Sequence, residues 1–128
     1  MEASLKLKEV SYIHSEAYAA GELKHGTISL VEDKTPVISI ITDPEIRAKT
    51  ISNIKEVKAR KALSVIITNE EIKDKELYDK EILIDSVNDF IDPILVIVKC
   101  QLLAYYVAKL NKCDIDKPRN LAKSVTVE

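Results

Sequence analysis

The sequence has no tryptophan, one phenylalanine, two glycines and two cysteines in 128 residues. The lack of Trp and near-lack of Phe argue against the aromatic stacking platforms used by single-stranded nucleic-acid binders. Nineteen Lys and Arg against twenty-one Asp and Glu leave a formal charge of −2. That balance argues against a general nucleic-acid or anionic-membrane binder, which would show a strong excess of positive charge. Cys100 and Cys113 have no Cys or His nearby at a zinc-binding spacing, so both read as reduced thiols and no metal is expected. A dinucleotide-binding glycine triplet, a phosphate loop, HExxH and GxSxG are all missing, which leaves nucleotide cofactors and standard hydrolase machinery unsupported. Lys6, Lys8 and Glu9 interrupt the start where a secretory leader would run apolar, so a cytoplasmic location is expected.

What remains is 46% apolar, enough for one domain with a single core and no cross-links. Gly21 and Gly26 lie close together in an otherwise glycine-free chain and mark a sharp turn or close approach. Spacings of three and four among Leu7, Val10, His14 and Ala17 predict a helix over 5–20, with His14 a structural residue on its stripe. The runs 36–41 and 63–68 are β-branched and apolar on both faces, as in strands covered on both sides of a parallel sheet. Between them an amphipathic helix is expected, capped by Asp43, opened by Pro44 and packed through Ile46, Ile54 and Val57.

A third apolar run, Ile82 to Ile84, extends the sheet, and the class is α/β. A second helix, from Asp92 or Pro93 to Leu110, is apolar around most of its circumference. A bilayer span needs about 20 largely uncharged residues, and Lys99 and Gln101 break this one, so burial in the core or against another subunit is expected instead of a membrane. The stretch 114–128 reads as a tail, with Lys117, Arg119 and Lys123 able to meet a phosphate or carboxylate, or merely solvated.

Three groups could carry chemistry. Lys6 and Glu9 share one helix face, either as a solvated ion pair or as a general base with a cation beside it. His25, just before Gly26, is either a surface histidine or an acid/base for a sugar oxygen. Lys123 could form a Schiff base if a desolvated pocket lowered its proton affinity.

Leu5-Lys-Leu-Lys-Glu-Val-Ser-Tyr-Ile-His14, Glu16-Ala-Tyr-Ala-Ala-Gly-Glu-Leu-Lys-His-Gly26 and the ending Pro118-Arg-Asn-Leu-Ala-Lys-Ser-Val-Thr-Val-Glu128 closely resemble the glutamine–fructose-6-phosphate aminotransferase (isomerizing) family, the glucosamine-6-phosphate synthases. The resemblance implies a three-layer α/β/α sugar-isomerase (SIS) domain with a mainly parallel sheet, amino-terminally truncated. It corresponds to the second SIS domain of the family over 1–128, with 114–128 its catalytic tail. It further implies Glu9 as the base between C1 and C2, Lys6 in support, His25 for ring opening, supplied to a neighbouring subunit, and Lys123 as the Schiff-base lysine. The substrate and product would be fructose 6-phosphate and glucosamine 6-phosphate, with no cofactor and no metal.

In the family the phosphate site and the glutaminase lie in other domains, so the fragment is expected to be inactive alone. The family's His-Gly-Pro reads His25-Gly26-Thr27 here, and its Asp-Gln-Pro reads Asp116-Lys117-Pro118. The family's first strand is missing, and the sheet edge this leaves predicts a homodimer or larger assembly. The competing readings are a non-catalytic sugar-phosphate-binding regulatory module and a dimerisation module.

Overall fold

The computed structural model describes residues 1–119 and 121. Its elements run α1 (Glu2–Ser11), two 3-10 turns (Ala20–His25 and Thr27–Leu30), β1 (Pro36–Ile41), α2 (Arg47–Lys58), β2 (Leu63–Thr68), a 3-10 turn (Lys75–Leu77), β3 (Lys80–Leu83) and α3 (Asp92–Leu110). Two compact units result, one of residues 18–96 and one of residues 1–17 with 97 onward.

In the first unit the sheet order is β1-β2-β3 and both pairings are parallel, Pro36 opposite Leu63 and Val65 opposite Lys80. Strand, helix and parallel strand form the expected βαβ unit, with β1 and β2 at the predicted bounds. Ile41, Ile54, Ile66, Ile72 and Leu77 make the core, with Ile51 and Tyr78 packed against it. Burying each such aliphatic side chain contributes roughly 1.5–3 kcal/mol.

Several expectations need correction. Ile38 and Ile40, which alternate with the inward Ile41, are 38% and 46% exposed, so β1 is covered on one face only. Helix α2 begins at Arg47, and the Asp43 carboxylate accepts from the Glu45 amide in the turn before it. Pro44 and Asp43 therefore shape the approach to the helix. Ile46 is 52% exposed, and Thr50 joins Ile54 and Val57 on the buried side.

The carboxyl ends of the strands are tied together by a buried carboxylate. Asp92 is 1% exposed. It accepts from Ser86 Oγ at 2.7 Å, Asn69 Nδ2 at 2.9 Å and the Val87 amide at 3.0 Å. Asn69 Nδ2 also donates to the Thr42 carbonyl, and Asn69 Oδ1 accepts from Arg47. The hydrogen bond from Ser86 and then that from Asn69 hold the Asp92 pKa below the usual carboxylate value.

In the second unit α1 ends at Ser11, nine residues before the expected end at Ala20. Tyr12 turns left-handed (φ 58°) and stops the helix. His14 consequently lies outside any helix with its side chain 84% exposed, 3.8 Å from Glu16, which corrects its assignment as a structural residue on the helix stripe. On the part of α3 that belongs here, Cys100, Ala104 and Ala108 are buried, whereas Val98, Leu102, Tyr105, Tyr106 and Leu110 are exposed. The helix is not wrapped in its own chain's core. By length and composition α3 also meets the requirement for crossing a bilayer, a test that core helices of soluble proteins pass as well. Both cysteines are free, and burial raises the Cys100 pKa, which leaves that thiol unreactive.

Candidate active site

On α1 the helical period puts Glu2, Lys6 and Glu9 on one face and Ser4 and Ser11 on the opposite one. The serine face is buried and its hydroxyls are satisfied. Ser11 Oγ donates to the Leu7 carbonyl at 2.6 Å, Ser4 Oγ to the Ser15 carbonyl at 2.8 Å, and Ser15 Oγ back to the Ser4 carbonyl at 3.1 Å. Hydrogen bonds thus tie α1 to the segment that follows it.

On the charged face Lys6 Nζ donates to Glu9 Oε2 at 2.6 Å and lies 3.7 Å from Glu2 Oε1. The hydrogen bond to Glu9 raises the Lys6 pKa above its usual 10.5, outweighing partial burial, and the charges of Glu9 and Glu2 add to it. Lys6 therefore remains a cation at neutral pH. Its ammonium is paired with two carboxylates, those of Glu9 and Glu2. The Glu9 side chain is 22% exposed. A partly exposed carboxylate with one oxygen fixed suits general-base chemistry.

His25 belongs to the other unit, as the exposed last residue of the turn Ala20–His25. Gly26 follows with φ +134°, a conformation that only glycine adopts readily. Its carbonyl accepts from both the Ser29 amide and Ser29 Oγ, closing the next turn. Lys24 reaches Glu56 of α2 at 3.4 Å and ties the His25 loop to the helix. Of the two glycines, only Gly26 marks a sharp turn. Nothing lies within 4 Å of a side chain placed at Gly21.

The tail is placed as far as Arg119, with Leu121 also described, while Lys123 lies outside the described residues. Among the described residues Arg119 is placed against Tyr12. Its amide donates to Tyr12 Oη at 2.7 Å, and its guanidinium stands 4.4 Å from the centre of the Tyr12 ring. The structure thus brings Lys6 and Glu9 together and places His25 in the separately described unit. Glu2 was missed in the sequence, although its i, i+4 spacing to Lys6 was available as a signal.

Open parallel sheets usually bind ligands at the carboxyl ends of their strands. Here that end holds a shallow cavity of about 320 Å³ lined by Thr42, Asp43, Pro44, Glu45, Asp89, Asp92 and Pro93. Four acidic side chains in that lining oppose a sugar phosphate.

The SIS domain family matches residues 1–109. The whole chain aligns with the glutamine–fructose-6-phosphate aminotransferase (isomerizing) of Clostridium acetobutylicum at 55% identity and with that of Methanosarcina acetivorans at 50%. It spans 21% of the length of each. The solved C-terminal domain of glucosamine-fructose-6-phosphate aminotransferase from Francisella tularensis superposes with a TM-score of 0.80 at 38% identity. That match covers 90% of this chain and 33% of the other.

Proposed function

The chain belongs to the SIS domain family, and from that premise we propose that it is the second sugar-isomerase domain of a glutamine–fructose-6-phosphate aminotransferase. In this reading the Lys123 amine adds to the C2 carbonyl of open-chain fructose 6-phosphate and water leaves, giving an iminium. Ammonia released from glutamine by another domain displaces the lysine. Glu9 then removes a proton from C1 and returns it to C2, leaving the C1 aldehyde of glucosamine 6-phosphate. His25 assists ring opening, and Lys6, hydrogen-bonded to Glu9, aims its carboxylate.

The observation that carries this reading is the Glu9 carboxylate, partly exposed on α1 with Oε2 held by Lys6 at 2.6 Å. The acidic cavity at the strand ends favours a phosphate site outside this domain, so the 128-residue chain by itself makes no glucosamine 6-phosphate. In the full-length enzyme, Lys123→Arg abolishes sugar conversion and spares glutamine hydrolysis. Normal conversion by that variant would defeat the assignment. The free thiols of Cys100 and Cys113 accord with a cytoplasmic enzyme.

Association of two copies is the second part of the reading, and the exposed apolar residues of α3 favour it. Sedimentation of the chain should give a dimer, and a monomer at high concentration would remove this part alone.

A further inference from the structure

We propose that, whatever chemistry α1 performs, the amino-terminal end of the parallel sheet binds a diphosphate group between Lys34 and Lys61. An open cavity of about 510 Å³ lies there, lined by Lys34, Lys58, Lys61, Ala62, Leu63 and Asp79, all within residues 18–96. Small-molecule sites commonly measure about 300–1,000 Å³. Three of the lining residues are lysines, and the one carboxylate among them is already committed. Asp79 Oδ2 accepts from Lys58 Nζ at 2.6 Å and from the Ser64 amide at 2.7 Å. The bond from Lys58 and then that from Ser64 hold the Asp79 pKa below the usual carboxylate value. Among the described residues neither Lys34 nor Lys61 forms an ion pair.

The backbone holds these two side chains at a cost. Lys34 and Lys61 both adopt the left-handed region, at φ 64° and 62°, where glycine is the favoured residue. The Lys34 amide donates to the Lys61 carbonyl at 2.8 Å, so the two residues stand side by side. Lys61 follows the end of α2, and a helix end carries about half a unit of negative charge, less than two ammonium groups supply. At the opposite end of the strands the cavity is lined by Asp43, Glu45, Asp89 and Asp92. An anion is therefore drawn to one end of the sheet and repelled from the other. Lysine meets phosphate as a point charge, and a diphosphate offers two charged centres, one for each ammonium. Ala62 is buried and Leu63 is 42% exposed, which gives an apolar wall for the body of a molecule that carries the diphosphate.

The probe is inorganic pyrophosphate, titrated into the 128-residue chain and followed through the NMR shifts of the Lys34, Lys61 and Leu63 amides. Saturable shifts are expected, with binding at least about 10-fold tighter than that of orthophosphate at the same ionic strength. Lys34→Gly combined with Lys61→Gly removes both charges and relaxes the backbone at both positions. It should weaken pyrophosphate binding at least about 10-fold while the amide shifts of β1 and β2 are retained. Asparagine at the same two positions, also tolerated in the left-handed region, repeats that measurement in a second background. Lys49→Gln combined with Lys55→Gln makes the same change of charge on α2 outside the cavity and should alter affinity by less than about twofold. Shifts that never saturate, equal affinity for orthophosphate and pyrophosphate, or equal weakening by the cavity and the α2 variants would each overturn the site.

Discussion

Residues 18–96 and the unit made of residues 1–17 with 97 onward are stabilised in different ways. The first buries Ile41, Ile54, Ile66, Ile72 and Leu77 in a continuous cluster around a parallel sheet. The second buries Ser4, Ser11, Cys100, Ala104 and Ala108, and exposes the large apolar side chains of α3. One region is held by area removed from water, the other by small side chains and hydrogen bonds such as those joining Ser4 to Ser15. The Lys6–Glu9 pair lies in the second. A charged pair is easier to keep where it is not surrounded by apolar side chains, because desolvating an ion costs more than most single contacts return.

The sharpest test of that division is a pair of substitutions. Ile66→Ala should cost about 2–5 kcal/mol of unfolding free energy by urea titration, since Ile66 is 1% exposed at the centre of the core. Glu9→Gln should leave stability within about 0.5 kcal/mol, as expected for a partly exposed ion pair. In the full-length enzyme it should lower kcat for sugar conversion by about 10²- to 10⁴-fold. If Glu9→Gln destabilised the chain as much as Ile66→Ala, the carboxylate would be part of the scaffold and the comparison would fail.

Titration divides the regions again. In residues 18–96 the donors around Asp92 lower its pKa, and the Ile72 amide, with Tyr78 and Lys75, lowers that of Glu81. A carboxyl group whose folded-state pKa lies below its unfolded value adds stability above the unfolded pKa, and loses it as pH falls through the folded one. Lys6 has the opposite sign. Its raised pKa gives stability that is complete below about 10.5 and is lost as pH rises through the higher folded value. Urea midpoints should therefore fall from neutral pH toward about pH 3, and Asp92→Asn should flatten that fall while lowering the midpoint at neutral pH. An unchanged slope in Asp92→Asn would show that other carboxylates govern the acid limb.

The same contrast explains what could be read from the amino-acid sequence. Strands 36–41 and 63–68 are unbroken β-branched runs, and that pattern located both ends of each. The end of α1 had no such signal, because it depends on a left-handed Tyr12 and on serine hydroxyls bonding to backbone. Glu9 and Lys6 were legible as an i, i+3 pair, but spacing alone could not tell a brace from a solvated ion pair. The Tyr12–Arg119 contact was beyond reach, since no local pattern links residues 107 apart. The exposed side of β1 was missed for a related reason. Apolar character on both faces says that a strand can be covered twice, not that its own chain supplies both covers.

The smallest expected effect is also the most discriminating, because one chemical change should have opposite signs in the two regions. Ser15 Oγ donates to the Ser4 carbonyl and holds the segment after α1 in place. Ser15→Ala should cost about 1 kcal/mol, the usual net value of such a bond. Ser64, 1% exposed at the start of β2, has a hydroxyl with no hydrogen-bond partner among the described residues. Its desolvation is uncompensated, and Ser64→Ala should raise stability by about 0.5–1 kcal/mol. Urea titration of both variants under one set of conditions checks the pair. Loss of stability in both would mean that the Ser64 hydroxyl is satisfied in solution, by a buried water for instance, and that polar groups contribute alike in the two regions.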